Sequence, residues 1–154
     1  MKKYLQKKLN NEKGMTLIEL LAVIVIIAII AAIAIPAIGS IIENSRNGAV
    51  KSDYQNALSA ANIYFTENPK GETPANATAT VTVATLLSQS YLDDKGSLLG
   101  DVVITKASGG NTILGGASPD GDATADYTLA AAMTNAQLTK IENSAFKGLA
   151  IPTP

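Results

Sequence analysis

Leu20 to Ile42 is a run of 23 residues without a charge, and it restricts the fold more than any other stretch. At 1.5 Å rise per residue, a helix of this length is about 34 Å long, enough to cross a hydrocarbon core of about 30 Å. Such a run can span a bilayer, and it can also pack sideways against copies of itself. Glu19 stands directly before it. A carboxylate carried into lipid costs on the order of several kcal/mol unless something pairs with it.

The charge on either side is uneven. Residues 1–14 hold five lysines (Lys2, Lys3, Lys7, Lys8 and Lys13) and one acid (Glu12), a net +4, whereas the remainder holds seven basic and twelve acidic residues, a net −5. A short basic leader before an apolar run is retained on the cytoplasmic side, which places the bulk of the chain beyond the membrane. The mild acidity of that bulk argues against a broad nucleic-acid-binding face. Cysteine and histidine are both absent. No disulfide closes the chain, no thiolate chemistry is available, and the commonest general base and metal ligand is missing. Neither catalysis nor a cofactor is expected.

Helical spacing continues past the apolar run. Val50, Tyr54, Ala57, Leu58, Ala61, Tyr64 and Phe65 form one stripe, with Glu43, Arg46, Lys51 and Asp53 as its polar neighbours. Pro69 and Gly71 end it. The spacing predicts one helix from Thr16 to Thr66, about 75 Å long, apolar all round in its first half and one-faced in its second. Pro36 removes a hydrogen bond to the carbonyl of Ala32, and Gly39 follows closely, so a kink or weak turn is expected there.

The remainder is rich in turns and poor in large apolar residues. Residues 67–80 read as a loop, and "VATLLSQSYLDD" reads as a short helix. Asp101–Lys106, Asn111–Leu114 and Ala125–Met133 read as strands, punctuated by glycines. A second short helix begins at Thr134, and the tail "IPTP" reads as exposed. A sheet this small is not stable alone and needs the stripe from Val50 to Phe65 as its other core face. The predicted fold class is therefore α+β, with a long N-terminal helix packed against a small antiparallel β-sheet head.

"KGMTLIEL" followed by a long apolar run with an embedded proline resembles the N-terminus of type IV pilins and pseudopilins. The resemblance is specific over residues 8–40 and architectural beyond them. It implies a basic leader, 1–14, removed by a prepilin peptidase that cuts between Gly14 and Met15 and N-methylates Met15. Residues 15–42 would then be the transmembrane and filament-core helix. Residues 43–154 would be the globular head, made of an amphipathic helix 43–66, a loop 67–80, and a short helix with a small sheet in 81–154. The resemblance also implies that the segment before Pro36, near Ala28–Pro36, loses helical order when subunits enter a filament. Most pilins carry Phe where Met15 stands, and many carry a cysteine pair that this head lacks.

Several features have a second reading. Ala32-Ile33-Ala34 looks like a signal-peptidase site, although the apolar run continues past it. Run length alone is also met by a simple single-pass anchor. Thr16-Leu-Ile-Glu19 has the form of a capping box, in which Glu19 reaches back to free N–H groups at a helix start. The sharper reading is that Glu19 pairs across subunits with the amine that cleavage creates at Met15, and the two roles can coexist. Asp120, Asp122 and Asp126 lack the spacing of an EF-hand and read as a solvated acidic turn, with no metal. Asn76-Ala77-Thr78 matches a glycosylation acceptor.

The function that the resemblance implies is that of a structural pilin, homo-oligomeric as a helical filament and serving adhesion, motility or colonisation. It would stand in the inner membrane as a single-pass protein before assembly and at the cell surface afterwards. Its partners would be the membrane, the prepilin peptidase, a platform protein and an assembly ATPase. The alternative is a pseudopilin of a DNA-uptake or protein-secretion machine, and only that reading gives DNA a part. A third is a membrane-anchored module that never polymerises.

Overall fold

The fold is taken from a computed structural model that describes residues 2–72, 78–148 and 151, with side chains from Leu17 onward. The chain divides into two compact units, Met1–Ile42 and Glu43–Pro154.

Helix α1 spans Lys2–Glu67, so it starts well before Thr16, where the apolar pattern placed its beginning. Residues 2–13 are mostly Lys, Leu, Gln, Glu and Asn, which oppose a helix only weakly. Gly14 costs only about 1 kcal/mol in a helix interior. A helix already nucleated downstream therefore extends through them. The element also continues through Pro36 and Gly39. Pro36 withdraws one donor from the ladder without ending the helix.

Within the head, β1 (Thr80–Thr82), β2 (Val103–Thr105), β3 (Thr112–Leu114) and β6 (Met133–Thr134) form one antiparallel sheet in that spatial order. β4 (Gly116–Ala117) and β5 (Tyr127–Thr128) form a second, two-stranded sheet. Two short helices complete the unit, α2 (Val83–Ser88) and α3 (Asn135–Lys140).

Register explains why the four-stranded sheet has a single buried face. Val81, Ile104, Ile113 and Met133 are paired in one row across all four strands, and all four are fully buried. Side chains alternate along a strand, so the neighbouring row, Thr80, Thr105, Thr112 and Thr134, faces the other way. The buried row meets the α1 stripe in one core. Val50, Tyr54, Ala57, Leu58, Ala61, Tyr64 and Phe65 are all buried, as the helical spacing predicts. Each large side chain removed from water there contributes roughly 1.5–3 kcal/mol. Tyr54 meets Phe146 edge to face, with ring centroids 5.9 Å apart.

Four sequence expectations for the head change. Ala125–Met133 is not one strand but is divided between β5 and β6, which lie in different sheets. Thr80 leaves the predicted loop and joins residues 81 and 82 in β1, because Val81 fills the end of the buried row. The helix after Val83 ends at Ser88, and Ser90 takes a positive φ of 62° just beyond it. Finally, Ile151 in the tail is buried rather than exposed. Its amide donates to the Thr128 carbonyl at 2.8 Å, and its carbonyl accepts from Ala130 at 3.1 Å. The second short helix is present as α3, and Thr134, where it was expected to begin, is its N-cap in a complete capping box with Gln137.

Candidate functional site

The sequence points to residues in the first unit as the working segment: Gly14, Met15, Glu19, Pro36 and Gly39. All five lie within α1. Gly14 and Met15 are helical in the uncut chain, while the side chain of Met15 falls outside the described residues. Glu19 is exposed and, among the described residues, has no hydrogen bond or ion pair. Thr16 stands inside the helix rather than at its start. The capping-box reading therefore fails for the uncut chain, because the N–H groups that Glu19 would reach already serve the helix ladder.

From Leu17 to Ile42 the helix presents apolar side chains on every side. Leu17 is 69% exposed, Ile33 70% and Ile35 70%. The helix containing Leu17–Glu67 is long and apolar enough to cross a membrane. An all-round apolar helix requires lipid or other helices around it. The space beside Gly39 is open, so an added Cβ would touch nothing within 4 Å.

The head, considered separately, is held by polar clamps on α1. Asn47 lies in the buried stripe, three residues before Val50. Its Oδ1 accepts from the Tyr127 hydroxyl at 2.8 Å, and its Nδ2 donates to the Asn143 carbonyl at 2.9 Å. Asp53 accepts from the Ser97 amide at 2.8 Å and from the Ser97 hydroxyl at 2.6 Å. Gly96 stands against this carboxylate with φ +56°, and a Cβ there would collide with it. Lys51 donates to the Ile141 carbonyl at 3.0 Å. Tyr54 donates to the Gly115 carbonyl at 2.9 Å, and burial holds its phenol well above the ordinary tyrosine range. Burial also raises Tyr127, while Arg46 nearby acts in the opposite direction. Sequence reasoning missed Asn47, whose place on the helical stripe was the available signal. It also missed Ser97, whose loop position carried none.

The acidic turn disperses its three carboxylates. Asp120 pairs with Arg46 at 2.6 Å. The Ser118 hydroxyl lies 3.0 Å from an oxygen of Asp122 and 3.4 Å from one of Asp126. Among the described residues no three candidate ligands gather around one point. Asn76 and Ala77 of the glycosylation pattern lie outside the described residues.

Together these features define a class: an α+β chain with a pilin-like fold, in which a long helix begins apolar and its later part, Val50–Phe65, packs against a small antiparallel sheet. Residues 9–35 match the prokaryotic N-terminal methylation motif, the hallmark of type IV pilin and pseudopilin prepilin-like proteins. No curated protein and no solved structure matches the chain. The motif points to a structural rather than a catalytic protein, and it implies processing by a prepilin peptidase and pilus assembly. The apolar helix points to membrane anchoring.

Proposed function

We propose that this chain is the structural subunit of a type IV pilus, stored in the membrane and polymerised into a surface filament. The observation that carries the reading is the coincidence of the methylation motif over residues 9–35 with an apolar helix exposed on all sides. Hydrolysis of the Gly14–Met15 bond leaves a carboxylate on the leader and an amine on Met15. The helix then starts at Met15, so Glu19, its fifth residue, follows directly on the first turn and complements the freed N–H groups. In the growing filament, Glu19 of a subunit already in place accepts the Met15 amine of the incoming one. Pairing removes the cost of an isolated carboxylate among apolar helices.

Little hydrophobic energy separates lipid from a bundle of identical helices, since lipid tails are as apolar as Leu and Ile. Association therefore rests on packing at small residues such as Ala28, Ala31 and Ala32, and on the Glu19–amine pair. Extraction from the bilayer falls to a platform protein and a cytoplasmic ATPase. Near Pro36, where the ladder already lacks a donor, the helix melts as subunits pack. Subunits repeat through a heterologous contact that does not close, which is the geometry of a fibre.

Mass spectrometry of sheared surface material tests this reading. The expected result is long filaments made of a chain that begins at N-methylated Met15. An intact leader in a membrane-bound, unpolymerised chain would overturn it. Correct processing without long fibres, together with loss of transformation or secretion on deletion, would assign the chain to a pseudopilin machine instead.

A further inference from the structure

A cleft of about 170 Å³ opens in the head between α1, the β2–β3 turn and the start of α3. Leu58 and Ala136 supply apolar lining, Gly109 and Gly110 form one wall, and Thr134 with three carboxamides, Asn62, Asn111 and Asn135, completes it. Among the described residues no ionisable side chain lines it.

Hydrogen-bond logic sets the direction of every amide, even though oxygen and nitrogen look alike in shape. The backbone amide of Ala107 can only donate, and it donates to Asn111 Oδ1 at 3.3 Å. Asn111 therefore presents Nδ2 to Asn62, whose Oδ1 accepts at 2.7 Å. On the opposite wall, the Thr139 hydroxyl spends its proton on the Asn135 carbonyl at 2.9 Å. It can then only accept from Gln55, which presents Nε2 at 3.0 Å. The same Nε2 donates to Asn135 Oδ1 at 2.9 Å. All three asparagine oxygens are thus engaged inside the protein. The Nδ2 groups of Asn62 and Asn135 have no hydrogen-bond partner among the described residues, and Asn111 Nδ2 retains one N–H. The Thr134 hydroxyl already accepts from Gln137, so α3 adds no free terminus to the cleft.

We propose that this cleft binds one neutral sugar unit, through amide N–H groups that donate to its ring and hydroxyl oxygens. Its donors are oriented by bonds within the protein, so little side-chain freedom is lost on binding. The absence of a cation disfavours an anionic ligand, which would be left with an uncompensated charge. The volume lies below the roughly 300–1,000 Å³ of drug-sized pockets and suits a single ring. The proposal goes beyond the filament reading and does not depend on polymerisation.

The test uses the full chain, ¹⁵N-labelled, in phosphocholine micelles that contain no sugar headgroup. Glucose, galactose, N-acetylglucosamine and N-acetylgalactosamine are titrated separately at millimolar concentration. At least one should shift the side-chain NH₂ resonances of Asn62, Asn111 and Asn135 saturably. Asn62→Asp and Asn135→Asp each keep the oxygen that the internal network needs and replace the donor with a charged acceptor. Each should weaken binding about tenfold, the equivalent of one hydrogen bond of about 1.4 kcal/mol, with the backbone spectrum of the head unchanged. Asn56→Asp, on the exposed face of α1 and outside the cleft, should leave the titration unaltered. No saturable shift with any of the four sugars would overturn the proposal, as would shifts that survive both aspartate variants. Saturable shifts from trialanine alone would assign the cleft to peptide carbonyls and also overturn it.

Discussion

The hydroxyl of Tyr127 donates to Asn47 Oδ1 at 2.8 Å inside the head, where Asn47 is only 1% exposed. This bond joins the two-stranded sheet to the long helix, and the other end of the same amide holds the Asn143 loop at 2.9 Å. One side chain thus ties two distant segments to the buried face of α1. Asn47→Ala leaves the buried Tyr127 hydroxyl unpaired and takes from the Asn143 carbonyl one of its two bonds, the other coming from the Phe146 amide, so it should destabilise the head by about 2–3 kcal/mol. Tyr127→Phe removes one bond and should cost about 1 kcal/mol. Urea unfolding followed by near-ultraviolet tyrosine signal distinguishes the two, and equal losses would contradict the bridging role of Asn47.

Alkaline pH should unfold the head through Tyr54. Burial raises its phenol above the ordinary value of about 10, so the folded chain keeps a proton that the unfolded chain has lost. The associated stability is complete below about pH 10 and falls as pH rises beyond it. Tyr54→Phe should lose about 1 kcal/mol at neutral pH, with the hydrogen bond to Gly115. It should also show a shallower decline above pH 10. Unfolding free energies measured at pH 8 and pH 11 in both chains provide the comparison, and parallel declines would count against Tyr54 as the main source.

Ile151 should prove structural. It is fully buried and forms a parallel bridge with Leu129. Ile151→Ala should cost about 2–5 kcal/mol, visible as a lower midpoint in denaturant. A midpoint within error of the parent would mean that the segment does not dock.

Glu19→Ala should still be cut and methylated yet fail to assemble, if the carboxylate receives the amine of the next subunit. Mass spectrometry of the membrane fraction checks the processing, and electron microscopy of sheared material checks the filament. Normal filaments from this variant would sink the pairing mechanism, and loss of processing would place Glu19 in peptidase recognition.

The apolar run, the basic leader and the stripe from Val50 to Phe65 are local, periodic features, and each is readable because a 3.6-residue repeat and a charge-free stretch are written in consecutive residues. The same holds for the start of the last short helix at Thr134. The methylation motif is likewise contiguous. These alone determined an α+β chain with a membrane-length helix and a methylation motif over residues 9–35.

The tertiary structure decided what depends on contacts distant in sequence. It divided Ala125–Met133 between two sheets, because Tyr127 pairs with Ala117 while Met133 completes the row that begins at Val81. It buried Ile151, whose partners Thr128 and Ala130 lie more than twenty residues away. It also carried α1 back to Lys2, which removed the cap expected at Thr16. The cleft belongs to the same group. Asn62, Asn111 and Asn135 are unremarkable in sequence, and only folding brings them to one cleft with their oxygens engaged and N–H groups to spare. Strand pairing and amide orientation are long-range properties, in which each residue's state is set by a partner that its own neighbourhood does not specify.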